Sequence, residues 1–177
     1  MSDLQKFSAK ICHTATGMLI VDGKVLLVKH KKLGFWLNPG GHIEADELPH
    51  IAVEREFWEE TGIKVKAYNF QELMESSTSE YVPLPILTSL HWINKESYEK
   101  RLSSSDKTKR VVTEKWPLGC EQHFNYMFLV RPVKDIEFRQ NTEESDGISW
   151  FSLEDLDNLD TIEDIRNEIK LGFKLLR

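Results

Sequence analysis

Four glutamates and an arginine are spaced along residues 47–60 in a way that could bind a metal ion. Arg55-Glu56 is followed by Glu59-Glu60, and Glu47 precedes them. On a helix with about 100° per residue, Glu56, Glu59 and Glu60 share an arc of about 100° beside Arg55. Like charges three or four residues apart repel one another, so this face is costly unless a cation lies among the carboxylates. Because hard divalent cations prefer oxygen ligands, the expected ion is Mg²⁺, with Mn²⁺ as the alternative.

A cation in such a cluster supports hydrolysis of phosphate compounds. It can bridge phosphate oxygens, offset the charge on the leaving phosphate and lower the pKa of a bound water. Phosphoryl transfer needs mainly positioning and charge stabilisation, so glutamates, an arginine and a metal suffice. The predicted chemistry is metal-assisted hydrolysis of a phosphoanhydride. The alternative is an ordinary amphipathic helix with an acidic, solvated face.

The helix that must position these side chains has recognisable ends. Pro49 suits the first helical turn, and Thr61-Gly62 is typical of a helix end. Gly41 and Glu47 stand at fixed offsets before the helix. Seven such positions would coincide by chance with a probability on the order of 10⁻⁸ per register, which favours a functional site over a solvated face.

The segment GHIEADELPHIAVEREFWEETGI, residues 41–63, resembles a complete Nudix box, the signature of the Nudix hydrolases. The preceding WLNPGG resembles the family's approach to the box, where a strand runs into a Pro-Gly-Gly turn. The resemblance implies an α/β fold of the α+β type, an α/β/α sandwich with a mixed β-sheet. It also implies Mg²⁺-dependent hydrolysis of a nucleoside diphosphate linked to a group X, and therefore a small-molecule nucleotide substrate.

The resemblance also assigns roles to residues. Glu56, Glu59 and Glu60 would form the metal-binding face, with the Gly41 carbonyl as an additional ligand. Arg55 would orient a glutamate, and Glu47 would brace the loop against the helix. Glu56 is the first choice for the general base within the box, and Glu121 and Glu144 are the candidates outside it.

The group X is less clearly indicated. The upstream signature of coenzyme A hydrolases is not visible in residues 24–38. The position at which ADP-ribose hydrolases tend to carry a marker proline falls near Thr78 and Ser79, neither of which is proline. Tyr81 lies close to the tyrosine of dinucleoside polyphosphate hydrolases. The short chain with Trp-x-x-Pro-Gly-Gly before the box favours hydrolases of modified nucleoside triphosphates, such as 8-oxo-dGTP. Dinucleoside polyphosphate and ADP-ribose-type hydrolysis, and a non-catalytic nucleotide-binding module, remain the alternatives.

Composition limits the class of protein. The 177 residues predict a single domain, and 40% hydrophobic with 29% charged residues is typical of a globular protein. A net charge of −6 gives no basis for general binding to nucleic acid or membranes. The only two cysteines, Cys12 and Cys120, and the six histidines lack metal-binding sequence spacing, and free thiols indicate a cytoplasmic protein. The sequence does not indicate the oligomeric state, and a homodimer is one of the alternatives.

The order of predicted elements agrees with a mixed sheet between helices. Asp22-Gly23 between two β-rich runs predicts a hairpin. The polar segment 94–117 is predicted to be a flexible insertion loop, either solvated or a phosphate-attracting lid. Ser152 to Asp155 and Thr161 to Asp164 match the capping-box pattern, and the second is expected to open the C-terminal helix. Further strands are predicted at 35–37, 63–70, 86–93, 124–130 and 147–151.

Overall fold

The computed structural model describes residues 10–69, 74–93, 95–106, 120–143 and 145–176. Within these residues the strands are β1 Ile11–Val21, β2 Lys24–His30, β3 Trp36–Leu37, β4 Gly40–His42, β5 Val65–Ala67, β6 Leu87–Trp92, β7 Gln122–Pro132 and β8 Ser145–Ser152. The helices are α1 Pro49–Thr61, α2 Lys95–Ser103 and α3 Glu163–Leu175, with a 3₁₀ helix over Asp155–Asn158. None of the helices described is long and apolar enough to cross a membrane.

The eight strands form one mixed sheet around β1 and β7. These two strands run parallel, with Ile11 opposite Gln122 and Leu19 opposite Val130. The other strand pairs are antiparallel: β2 and β4 lie beside β1, β5 and β6 beside β7, and β3 and β8 beside β2. The predicted hairpin is confirmed, because β1 and β2 meet at Asp22 and Gly23, whose φ angles of 48° and 73° are those that a tight hairpin turn requires.

The sheet has a hydrophobic cluster on each face. Successive residues of a strand point to opposite faces, so Leu26 lies in the cluster under α1 and Leu27 in the cluster under α3. Val53 and Phe57 of α1 complete the first cluster, and Ile169 is among the α3 residues of the second. The predicted α/β/α sandwich with a mixed sheet is therefore confirmed.

The position of α1 is set by a close contact and a defined end. A Cβ atom at Gly17 of β1 would lie 2.9 Å from the side chains of both Val53 and Phe57, so the helix packs directly on the strand backbone. Gly62 ends the helix in the left-handed conformation, with φ 73°, and its N–H donates to the Trp58 carbonyl at 2.7 Å. Both predicted ends of this helix are confirmed.

The segment predicted to be a loop at 94–117 contains α2, so that prediction is wrong for residues 95–103. The Glu96 and Lys100 side chains form an exposed i,i+4 ion pair on this helix, which contributes only about 0.2–0.5 kcal/mol. Arg101 of the same helix is fully buried, with its Nε 3.1 Å from Oε1 of Glu121, which is also fully buried. Residue 94 and residues 107–119 lie outside the described parts of the chain.

The two predicted capping boxes have different outcomes. In the first, Ser152 N–H donates to Asp155 Oδ2 at 2.7 Å and Asp155 N–H donates to Ser152 Oγ at 3.4 Å, at the start of the 3₁₀ helix. The second box does not form, although the C-terminal helix that it was expected to open is present as α3. The Thr161 hydroxyl instead donates to the Trp36 carbonyl, and the N-cap of α3 is Ile162, which makes no side-chain capping bond. This bond links the start of α3 to β3.

Candidate metal and catalytic site

Arg55 on α1 gathers three of the predicted glutamates. Its Nε and Nη2 donate to the two oxygens of Glu47, each at 2.9 Å, in a bidentate pair. Its Nη1 donates to Glu56 at 2.7 Å and to Glu59 at 3.1 Å. The hydrogen bond with Glu47 is the largest cause of a raised Arg55 pKa, so the guanidinium remains charged. Arg55 therefore holds three carboxylates, where the sequence predicted one.

The same contacts join the helix to the loop before it. Arg55 Nη2 also donates to the His42 carbonyl of β4 at 3.0 Å. Glu47 accepts the Glu44 N–H at 3.0 Å while it binds Arg55, so it contacts both loop and helix. The hydrogen bond from Arg55 lowers the pKa of Glu47 and keeps this carboxylate ionised. These contacts are the ones that a bracing role for Glu47 requires.

Glu56 lies directly against Gly41. A Cβ atom at Gly41 would lie 2.5–2.6 Å from the three carboxylate atoms of Glu56, so a larger residue there would displace the glutamate. The absence of a side chain thus brings the β4 backbone beside the carboxylate. The sequence predicted the turn at this point but not β4 itself, because glycine-rich segments carry little strand signal.

Glu60 is placed on the inner side of the helix. It is only 5% exposed, and its Oε2 accepts the Gly40 N–H at 3.0 Å. Glu59, by contrast, is 40% exposed. Glu60 therefore contacts Gly40, Glu56 contacts Gly41, and Glu59 is joined to Glu56 through Arg55.

The donor set of this cluster fits a hard divalent cation. The four carboxylates of Glu47, Glu56, Glu59 and Glu60 outweigh the single guanidinium, so the cluster is anionic. Carboxylate and carbonyl oxygens are the ligands that Mg²⁺ and Mn²⁺ prefer. The Gly41 backbone lies beside the Glu56 carboxylate in the same region.

The two candidate bases outside the helix have different outcomes. Glu121 is fully buried, lies beside Arg101 and accepts the Lys10 N–H at 3.0 Å. These are the contacts of a structural carboxylate, since a general base must reach a substrate or its water. Glu144 lies outside the described residues.

Asn38 is a polar group that the sequence did not single out. It is 3% exposed, and its Oδ1 accepts no hydrogen bond from the part of the chain that the structure describes. A buried acceptor without a hydrogen bond lowers the free energy of unfolding by about 1–3 kcal/mol. Asn38 is therefore an unusual residue to find beside the Gly40-Gly41 turn. The sequence signal that could have identified Asn38 is its place in the Trp-x-Asn-Pro-Gly-Gly segment before the helix. Trp36 of the same segment packs edge-on against Phe151, with ring centroids 4.8 Å apart.

Comparison with known proteins defines the class. A family model described as the NUDIX domain matches residues 12–171, which is most of the chain. The chain therefore belongs to the Nudix family.

Its relatives agree with this assignment. A MutT-like protein of Streptomyces ambofaciens is 34% identical over 87 residues, which are 48% of this chain and 56% of that protein. The phosphatase NudJ of Escherichia coli is 41% identical over 59 residues, 32% of this chain and 39% of that protein. The matched regions thus span only part of these relatives. A crystal structure of a NUDIX-family hydrolase from Clostridium perfringens superimposes with a TM-score of 0.68 and 26% identity, covering 93% of this chain and 97% of that one.

Proposed function

We propose that this protein is a Mg²⁺-dependent Nudix pyrophosphohydrolase that cleaves a phosphoanhydride in a nucleoside diphosphate linked to X. The observation that carries the proposal is the set of glutamates that Arg55 organises around the Gly40-Gly41 backbone. Family membership supports the reaction class. We propose modified nucleoside triphosphates as the substrates, on the Trp-x-x-Pro-Gly-Gly approach and the similarity to a MutT-like protein.

The residues of the site have separate tasks in this mechanism. Glu56, Glu59, Glu60 and the Gly41 carbonyl would hold the metal, which when bound polarises the phosphates and acidifies a water. Glu56 acts as the general base and accepts the proton of the attacking water. Arg55 fixes the rotamers of Glu56 and Glu59 through its Nη1, and Glu47 in turn fixes Arg55. Such positioning is the larger part of catalysis in phosphoryl transfer.

We also propose a cytoplasmic location. The support is that Cys12 and Cys120, the only cysteines of the chain, are not joined in a disulfide.

A substrate panel tests the proposed activity. The panel holds canonical and oxidised dNTPs, ADP-ribose, NADH, diadenosine polyphosphates, nucleotide sugars and coenzyme A, each with Mg²⁺, and the products are resolved by chromatography. We expect hydrolysis of an oxidised dNTP to the monophosphate and pyrophosphate, abolished by EDTA. Preference for ADP-ribose or a dinucleoside polyphosphate would reassign X. Nucleotide binding with no hydrolysis of any compound would indicate a binding module instead.

Two glutamate variants of the same helix test the site. Glu60→Gln should abolish most turnover, since it removes a carboxylate from the metal face while its amide oxygen still accepts the Gly40 N–H. Glu54→Gln is the matched control, because Glu54 binds Lys66 and the Ala67 N–H, away from the cluster. Circular dichroism establishes that both variants are folded. A wild-type-like kcat for Glu60→Gln would contradict the assignment.

A further inference from the structure

Two cysteines and a histidine that are distant in sequence meet on the sheet. Cys12 lies on β1, His42 on β4 and Cys120 two residues before β7. One potential ligand atom from each, two sulfurs and an imidazole nitrogen, lie within 4.8 Å of one another. The Cys120 Sγ is 3.7 Å from the His42 Nε2. Sequence spacing gave no sign of this cluster.

Strand register explains the meeting. His42 of β4 is opposite Thr14 of β1, and Cys12 lies on the same face as Thr14, two residues earlier. On the other side of β1, Cys12 is opposite His123 of β7. Because adjacent strand residues point to opposite faces, and Gly41 faces Glu56 of α1, the His42 side chain points to the other face of the sheet. The cluster and the carboxylate site therefore lie on opposite faces of β4.

We propose that Cys12, His42 and Cys120 bind a soft divalent metal ion, Zn²⁺, at a site separate from the carboxylate cluster. Thiolate and imidazole are the ligands that zinc prefers, whereas Mg²⁺ prefers oxygen. A thiolate and an imidazole on one tetrahedral zinc lie about 3.5 Å apart, from bond lengths of about 2.3 and 2.0 Å. The observed 3.7 Å separation of Cys120 Sγ and His42 Nε2 is close to this value.

His123 of β7 lies beside the three proposed ligands. Its ring centroid is 5.0 Å from that of His42, and its Nε2 is buried with no hydrogen-bond partner among the described residues. Cys12 is partly exposed and His42 is exposed, which gives an ion a route from solvent.

Cobalt spectroscopy tests the proposal, because Co²⁺ replaces Zn²⁺ and reports its ligands. The full chain, kept reduced with a phosphine, is titrated with Co²⁺ in the presence of excess Mg²⁺. We expect one equivalent to produce thiolate-to-cobalt charge-transfer absorption together with the strong visible bands of a tetrahedral site. Only Cys12 and Cys120 can supply thiolates, since the chain has no other cysteine. Addition of one equivalent of Zn²⁺ should remove the spectrum.

Variants assign the ligands. Cys12→Ser should lower cobalt affinity by at least about 100-fold and weaken the charge-transfer band, because a lost ligand costs more than a lost outer-shell contact. His42→Gln should also lower the affinity while the charge-transfer band remains, and it serves if the cysteine variant does not fold. Glu60→Gln is the control for the carboxylate site and should leave the spectrum unchanged. No charge-transfer absorption in the reduced wild type, or an unchanged spectrum in Cys12→Ser, would overturn the proposal.

Discussion

Replacing Arg55 with lysine separates the charge of this residue from its geometry. The guanidinium makes five hydrogen bonds, two to Glu47 and one each to Glu56, Glu59 and the His42 carbonyl. A lysine ammonium keeps the positive charge but has three donors at a single point, so at least two of these bonds are lost. The bidentate pair with Glu47 cannot form at all. Glu56 and Glu59 then lose the group that holds them in one orientation.

The expected magnitudes follow from these lost bonds. Charge-assisted hydrogen bonds contribute about 1.5–3 kcal/mol each when well shielded. Arg55 is 24% exposed, and lysine restores part of the contacts, so we expect the free energy of unfolding to fall by only about 1–3 kcal/mol without metal. Loss of a group that orients metal ligands lowers metal affinity by about 10–100-fold. We therefore expect Mn²⁺ affinity to change in that range and kcat to fall with it.

Manganese binding followed by electron paramagnetic resonance measures the affinity directly, without relying on turnover. Urea unfolding in EDTA measures the stability of the same samples. Lys66→Ala is the matched control, because Lys66 is the exposed partner of Glu54, which lies on the same helix as Arg55. This change should alter the free energy of unfolding by less than about 1 kcal/mol. Unchanged Mn²⁺ affinity and kcat in Arg55→Lys would refute the positioning role, since the charge alone would then suffice.

Three further predictions concern stability. Burial, and then Asp164, raise the pKa of Glu168 to about 7 from its ordinary 4.5, so between these pH values the folded protein retains a proton that the unfolded chain has lost, and its stability falls as the pH rises. Glu168→Gln should remove this pH dependence and stabilise the protein by about 1–3 kcal/mol at pH 8. Parallel urea-unfolding profiles for both proteins between pH 5 and 8 would contradict this. Arg101→Met should destabilise by about 3–5 kcal/mol, because the buried Glu121 loses its cation, and Arg101→Met with Glu121→Leu should recover much of the loss in thermal unfolding. Gly62→Ala should cost about 1–2 kcal/mol, since φ is 73° there, with the helix end otherwise unchanged by circular dichroism.

Local signals explain what could be predicted from the sequence. The bounds of α1 depend on Pro49 and Gly62, and the hairpin depends on Asp22-Gly23, all of which act within a few residues. The set of glutamates on α1 follows from helical periodicity alone. Their association with the Gly40-Gly41 backbone came from the family resemblance.

Features that depend on tertiary contacts were not predictable in this way. Helix α2 has a polar sequence, but Arg101 is buried against Glu121, which lies beyond the segment that looked like a loop. Thr161 matches a capping pattern, but its hydroxyl donates to the Trp36 carbonyl because β3 lies beside Thr161. The meeting of Cys12, His42 and Cys120 depends on which strands pair and in what register.

Gly17 illustrates how a residue without a functional group can control a reaction. Its missing side chain leaves the space that Val53 and Phe57 occupy, and these two residues belong to the same helix as the glutamates. An alanine there would push α1 outward and with it the carboxylates, while Gly41 stays with the sheet. In a mutational screen scored by activity, this position would therefore rank among the active-site residues. A search for residues that contact the substrate, or that react with a chemical label in the site, would not find Gly17. Residues that affect activity without contacting the substrate are therefore the ones that set the spacing of the site.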